Sequence, residues 1–443
     1  MDQLPKSVIK YLNKYTFGYW ALESNRLGKI ENVIVVPVIA EYEYLRVLFD
    51  SLLTNHNKYF SKTALIVVVN NLADSSSEVK TDNQKSLTFL RSIIQKSNLD
   101  DPLIQKAINS NLNICLIDAS SPGLEMPNKI GGVGLARKIG MDAALNIFDY
   151  NSSRKKIIIC LDADCTVDSN YLTTIVDEFN SKNSSAAIVK YEHNIEDNSL
   201  TAHAIICYEI FLRYYVLGLK YANSLFAFHT VGSTMICDYE SYIKVEGMNK
   251  QKAAEDFYFI EKLAKNYKIE EIVSTTVYPS SRSSWRVPFG TGQRVGRFLS
   301  NTQNEYLLYN PKSFDILKEW LYIFNSDEAK TSQDFLNSAK NIHIELFNFL
   351  MQQNFGSDWS GILENSTSSL QISKQKLKWF DGFRTLKFIH HLRDTAFPQV
   401  DMFVALNEMF TRVGIKRDFF WYRKDLPAID TQKQYLELMR EIT

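Results

Sequence analysis

Lys156-Ile157-Ile158-Ile159-Cys160-Leu161-Asp162-Ala163-Asp164 is the stretch that decides the fold. A short apolar run bounded by charge reads as a strand buried on both faces, the kind found in parallel sheets covered by helices. Open sheets of that kind bind ligands just outside the carboxyl ends of their strands, and two carboxylates stand at that end here. Side chains at i and i+2 on an extended backbone face the same way, so Asp162 and Asp164 can both offer oxygen to one hard divalent cation. Aspartates also end strands as turn formers or helix caps, so the neighbouring segments must decide between the two readings.

Outward from this run, β-rich apolar segments alternate with segments of helical period. Strands are expected at 33–38, 64–69, 113–117, 157–161, 185–190, 234–237 and 269–273. Helices are expected at 43–54, 83–97, 132–148, 170–181, 199–222 and 253–266. That alternation specifies an α/β fold, a mainly parallel sheet flanked by helices. Beyond Pro288-Phe289-Gly290-Thr291-Gly292 the β-branched runs thin out and helical spacing takes over, as in 314–324 and 335–351. The expected division is a catalytic-type domain over 1–290 and an α-helical C-terminal domain over 291–443. The Ser/Asn-rich stretch 354–369 reads as a loop.

The 443 residues are 45% apolar, enough for sizeable cores, and Lys plus Arg equals Asp plus Glu at 50 each. Nothing in that balance calls for nucleic acid or an acidic membrane as the main partner, so an anionic ligand must be held by local groups. The five cysteines, Cys115, Cys160, Cys165, Cys207 and Cys237, are scattered, mostly inside apolar runs, and form no C-x-x-C pair, which reads as reduced core thiols. The N-terminal residues lack a basic region followed by an apolar core, and a cytoplasmic location is the default expectation. The apolar segment 205–228 is long enough to span a bilayer, but Glu209, Arg213 and Lys220 are costly at that depth. It is expected to form a buried helix with no transmembrane span, leaving room for peripheral membrane contact.

Before the fourth strand, Gly131-Gly132-Val133-Gly134-Leu135-Ala136-Arg137-Lys138-Ile139-Gly140 opens a helix with glycines and basic residues. Glycines permit close backbone approach, and a helix N-terminus with an arginine favours negative charge. The dinucleotide fingerprint fails here, because Arg137 stands where its last glycine belongs. Downstream, Glu255-Asp256 begins an amphipathic helix. Acidic residues are routine in a first turn, but a carboxylate facing a cleft can also act as general base.

The order of these signals resembles the family-2 glycosyltransferases of GT-A fold, which use nucleotide-diphospho-sugar donors. Val35-Val36-Pro37-Val38-Ile39-Ala40-Glu41 looks like their first-strand motif, with Ala40 where Asn is usual. Asn70-Asn71-Leu72-Ala73-Asp74-Ser75 occupies the place of an acidic Asp-Asp-Gly-Ser turn and departs from it. The 134–140 segment resembles Ala-Arg-Asn-x-Gly with Lys138 for Asn, and Leu161-Asp162-Ala163-Asp164 is a close match to the metal motif. Val231-Gly232-Ser233-Thr234-Met235-Ile236-Cys237 looks like the acceptor-side strand, and Glu255-Asp256 matches the family's Glu-Asp pair. The C-terminal third has no counterpart.

By this resemblance Asp164 would coordinate Mg²⁺ or Mn²⁺ on the donor diphosphate, with Asp162 binding the metal or the ribose. Asp256 would deprotonate the acceptor hydroxyl and Glu255 would orient the acceptor, with inversion at the anomeric centre. Pro37, Glu41, Asn70 and Arg137 fall on the donor side, and Gly232 and Ser233 on the acceptor side, of a saccharide or small hydroxyl acceptor. The loop 280–294 adds Arg282 and Arg286 as phosphate contacts and Trp285 as a stacking surface. Its other reading is a domain-joining loop with arginines paired to surface carboxylates. His229 could be a ligand but reads as a satisfied, partly buried residue, and the pair His390-His391 lacks a partner at metal-ligand spacing, so all three are left out of the site. Two rivals stay open: a nucleotidyltransferase of the sugar-nucleotide pyrophosphorylase kind, although 37–46 lacks its basic glycine-rich loop, and a noncatalytic carbohydrate-binding or scaffold relative of the fold.

Overall fold

A computed structural model describes residues 4–24, 27–195, 199–282, 290–326, 330–423 and 425–443. Two compact units divide the chain. Met1–Asn194 and Thr230–Ser281 build the first, and Ile195–His229 with Gly290–Thr443 the second. Arg282 falls to the second unit.

The first unit holds a nine-stranded sheet made of β1 (Leu22–Ser24), β2 (Asn32–Val38), β3 (Thr63–Asn70), β4 (Asn113–Ala119), β5 (Ile157–Cys160), β6 (Thr166–Val167), β7 (Ala186–Tyr191), β8 (Met235–Asp238) and β9 (Ile269–Tyr278). Their spatial order is β1-β4-β3-β2-β5-β8-β7-β9-β6. Strands β2 to β5 run parallel, β8 runs antiparallel between β5 and β7, and β9 is parallel to β7. Every residue of β2, β3, β4 and β5 is buried, which is why these strands read as unbroken apolar runs. Each of the seven expected strands and six expected helices forms, with shifted ends. The helix expected at 83–97 begins earlier, at Ser77, because the Ser76 side chain caps it by accepting from the Val79 N–H.

The chain leaves β2 toward β3 and β4, then returns to the other side of β2 to form β5. The carboxyl ends of β2 and β5 therefore flank a topological switch point, where α/β sheets open a crevice. Pro37 widens it. Leu161 N–H donates to the Val35 carbonyl at 3.1 Å, so the backbone of Val35 faces β5. Two residues on, Pro37 faces the same side with no N–H to offer, and β5 has already ended at Cys160.

The second unit is helical, with one short ladder between Leu307–Leu308 and Val400–Asp401. The helix Leu200–Tyr221 belongs to this unit, so the fold does not divide at residue 290 alone. The helix is long and apolar enough to cross a membrane by length and composition, but 72% of its most apolar window is buried inside the protein. Glu209 and Arg213 are buried in it and pair with each other at 2.8 Å, and Arg440 closes on Glu209 at 2.8 Å. The stretch 354–369, expected to be a loop, contains the helix Phe355–Asn365. Phe355 and Trp359 stand at i and i+4 and are both fully buried, so one aromatic stripe outweighs the polar composition. Trp320, Phe324 and Phe335 join them in a tightly packed aromatic core. All five cysteines are free and buried.

Candidate active site

Strand β5 stops at Cys160 and the chain turns at once, with Cys165 N–H donating to the Asp162 carbonyl at 3.2 Å. Asp162 and Asp164 thus project from a tight turn past the strand end rather than from extended backbone. Asp162 is one third exposed, 33%, and its Oδ1 accepts from Arg137 Nη2. The second Arg137 amino group donates to Glu255 Oε1. Asp256, the next residue, is half-buried and lies within the electrostatic field of both Arg137 and Asp162. Three carboxylates therefore gather around one guanidinium.

Three local features hold this cluster. Arg137 sits in the first turns of the helix Val133–Ala144, 3% exposed. Gly232 lies flat against its guanidinium, where a Cβ would come within 2.5 Å of Nη2 and 2.9 Å of Cζ. Gly134 lets the same helix meet the segment before Glu255, since a Cβ there would stand 3.0 Å from the Asn249 carbonyl and 3.0 Å from Glu255 Cβ. The residue before Glu255, Ala254, takes a left-handed φ of +58°. A strained, non-glycine backbone immediately before an acidic pair is a frequent mark of a functional site.

Both amino groups of Arg137 are paired with carboxylates, Asp162 and Glu255. Glu255, 3% exposed, holds Arg137. Gly232 and Ser233 are buried, the first as the spacer for the guanidinium and the second beside Cys165. Gly131 and Gly132 pack against Leu72 and Lys252, and Gly140 against Val35 of β2, so the glycine-rich segment is used for internal packing. Asn70 spends its amide on the Val38 carbonyl at 2.9 Å and the Val68 carbonyl at 3.2 Å, which leaves no donor for a base. Glu41 is buried, and its carbonyl accepts from Leu45 N–H to start the helix Tyr42–Leu53. Trp285 and Arg286 lie outside the described residues.

Sequence reasoning missed Asn83. It is buried, accepts from the Ala40 N–H at 2.9 Å and donates to the Asn70 carbonyl at 2.9 Å and Asn71 Oδ1 at 2.8 Å. It therefore clamps the loops that follow β2 and β3. The signal was a polar residue on the buried stripe Val79, Asn83, Leu87, Leu90 of its helix.

Burial pushes the Asp256 carboxyl above its ordinary value; the Arg137 charge opposes the shift, and the Asp162 charge adds to it. The cluster thus carries more negative charge than Arg137 neutralises, at a turn open on the Asp162 side. Among the described residues, no group of three or more His, Cys, Asp or Glu side chains is arranged to hold a metal. Two adjacent carboxylates suit Mg²⁺ or Mn²⁺, hard ions bound by one or two carboxylates with water and substrate phosphate completing the shell.

No family model matches the chain, and a search of curated proteins finds no match. Among solved structures, the chain is similar to TarS 1-349 of S. aureus in complex with UDP-GlcNAc. That likeness has 12% identity and a TM-score of 0.40, and covers 87% of this chain and 82% of the other. It is also similar to the mannosyltransferase PcManGT from Pyrobaculum calidifontis in complex with GDP-Man and Mn²⁺. There the identity is 12% and the TM-score 0.34, with 87% of this chain and 92% of the other covered. At these values the likenesses establish neither a family nor an activity for this chain.

Proposed function

We propose that this chain is a metal-dependent glycosyltransferase that moves a sugar from a nucleotide-diphospho-sugar to an acceptor hydroxyl. The observation that carries the reading is the surplus of carboxylates at the β5 tip, gathered around a single arginine at the switch point of a mainly parallel sheet. The ordered match of five segments to the family-2 pattern supports it.

In this reading Asp162 and Asp164 hold Mg²⁺ or Mn²⁺, which when bound neutralises charge building on the departing nucleoside diphosphate. Arg137 fixes the rotamers of Asp162 and Glu255 through its two amino groups, so the carboxylates are preorganised before a ligand arrives. Asp256, with its raised proton affinity, accepts the proton from the acceptor hydroxyl as that oxygen attacks the anomeric carbon. Glu255 is a positioning residue in this scheme, acting through Arg137. Asn70 and Asn83 hold the loops that border the donor side of the crevice. The family-2, inverting and cytoplasmic assignments belong to the same proposal.

Chromatography of nucleotides released from a panel of UDP-, GDP- and dTDP-sugars tests it, with and without Mn²⁺. Slow, metal-dependent release of nucleoside diphosphate from at least one donor is expected. Release of nucleoside monophosphate or pyrophosphate would instead favour a nucleotidyltransferase, and no turnover with any donor would favour a noncatalytic relative.

A further inference from the structure

In the first unit, the segments 4–20, 124–130 and 249–254 carry six lysines, Lys6, Lys10, Lys14, Lys129, Lys250 and Lys252, with no arginine and one carboxylate, Glu125. Side-chain contacts bring the three segments together. Trp20 donates its indole N–H to the Leu124 carbonyl at 2.7 Å, Lys250 Nζ lies 4.6 Å from the centre of the Phe17 ring, and Lys252 Nζ donates to the Asn128 carbonyl at 2.8 Å. They share one surface.

At its centre Thr16-Phe17-Gly18-Tyr19-Trp20 follows the helix Lys6–Tyr15 as a loop. Tyr19 is 90% exposed, more than any other large hydrophobic side chain among the described residues, and Leu124 beside Trp20 is also exposed. Gly18 takes a φ of +66°, and a Cβ there would stand 2.5 Å from Trp20 Cζ3, so the indole lies against the turn while Tyr19 points outward. On the helix, Val8 and Tyr11 are buried, and Lys6, Lys10 and Lys14 recur every four residues along the exposed face. The nearby carboxylates are Glu125, which accepts from Gly123 N–H at 2.6 Å, and Glu246, which accepts from the Tyr15 hydroxyl at 2.5 Å. Six lysines against these two leave a surplus of positive charge.

Protein interfaces enrich arginine and deplete lysine, and nucleic acid is read chiefly through arginine's planar fork. This surface has lysine alone. A bilayer of anionic lipid asks for diffuse positive charge over its headgroups and for amphipathic rings that settle at headgroup level, and both are present around Tyr19.

We propose that this surface docks the chain on an anionic lipid bilayer, with Tyr19 and Trp20 at headgroup level and the lysines over the lipid phosphates. Docking of this kind needs no catalytic activity, so it stands apart from the transferase reading. Co-sedimentation of the full chain with vesicles tests it, using phosphatidylcholine alone and an equimolar mixture with phosphatidylglycerol. The chain should pellet with the mixed vesicles, stay in solution with phosphatidylcholine alone, and be released as salt is raised. Lys10→Gln with Lys250→Gln should weaken partitioning by about twentyfold, since each lysine near such a surface contributes about fivefold. Tyr19→Ser should weaken it by about fivefold. These side chains are exposed, so both variants should keep the wild-type melting temperature. All five cysteines are buried, so a Tyr19→Cys variant takes an environment-sensitive fluorophore at that position, and its emission should shift to the blue on mixed vesicles. No pelleting with mixed vesicles, equal pelleting by the lysine and Tyr19→Ser variants, or an emission that does not move would overturn the docking surface. Tighter binding to heparin or duplex DNA than to vesicles, undiminished in Tyr19→Ser, would assign the lysines to a soluble polyanion and overturn it as well.

Discussion

Arg137 and Lys138 are neighbours on one helix, both buried and both paired with carboxylates, yet their surroundings differ in kind. Lys138 Nζ lies 3.0 Å from Asp142 Oδ2 and donates to the Tyr11 hydroxyl at 2.9 Å. Tyr11 and Tyr242 donate in turn to Asp142 Oδ1 at 2.8 and 2.7 Å. One cation, one anion and two hydroxyls close a balanced knot that docks the N-terminal helix Lys6–Tyr15. Arg137 instead serves Asp162 and Glu255 at once, sits in the field of Asp256, and keeps its buried Nε without a hydrogen-bond partner. A satisfied knot needs nothing further. The Arg137 cluster has negative charge to spare, and the proposed cation would offset that imbalance.

The largest effect expected on this contrast comes from Asp256→Asn, which removes the proposed base. Turnover should fall by about 10²–10⁴, read by product formation with a matched donor and acceptor. The folded-state carboxyl binds its proton more tightly than in the unfolded chain, so ionised Asp256 costs stability above the ordinary value of 3.8. Asp256→Asn should therefore melt higher than the parent at neutral pH, with the advantage fading as the pH falls to about 4. The parent's rate should rise with pH through the raised value. A variant that loses stability at neutral pH would contradict the unbalanced charge assigned to the cluster.

Next in size is the knot. Lys138→Met alone leaves Asp142 buried without its counter-ion and should cost about 3–5 kcal/mol in denaturant unfolding, whereas Lys138→Met with Asp142→Leu should recover most of that loss. The corresponding double change Arg137→Met with Asp162→Leu still leaves buried Glu255 without its counter-ion, so it should recover little stability, and it should abolish metal-dependent donor turnover. A smaller effect follows from Gly134→Ala, which drives a methyl into the Gln251 and Asn249 carbonyls and should cost about 1–3 kcal/mol. Smallest is Ala40→Asn. Ala40 holds a φ of +52°, a left-handed conformation asparagine tolerates better, so the change should stabilise by about 0.5–1 kcal/mol.

The strands and helices of the first unit were legible because full burial writes itself as unbroken apolar runs and amphipathic stripes. The stretch 354–369 was not, since two buried aromatics at i and i+4 decide it against ten polar neighbours. In the site, Asp162, Glu255, Asp256 and Arg137 could be picked out as chemistry-bearing residues, but not their mutual pairing. Whether Arg137 meets a phosphate or a carboxylate depends on contacts between segments more than a hundred residues apart, and no local pattern encodes that. The same holds for Gly232, whose need for glycine arises only from a guanidinium brought against it by the fold, and for Asn83, which looks like any helix residue until two loops close around it.

We propose that the β5 tip holds a divalent cation together with a nucleotide-sugar. Thermal-shift titration of the full chain with nucleotide-sugars tests it most directly, in the presence and absence of Mn²⁺ and in parallel with Asp164→Asn. The account predicts stabilisation by at least one donor that requires Mn²⁺ and disappears in Asp164→Asn. Stabilisation that is equal without metal, or undiminished in the variant, would contradict it.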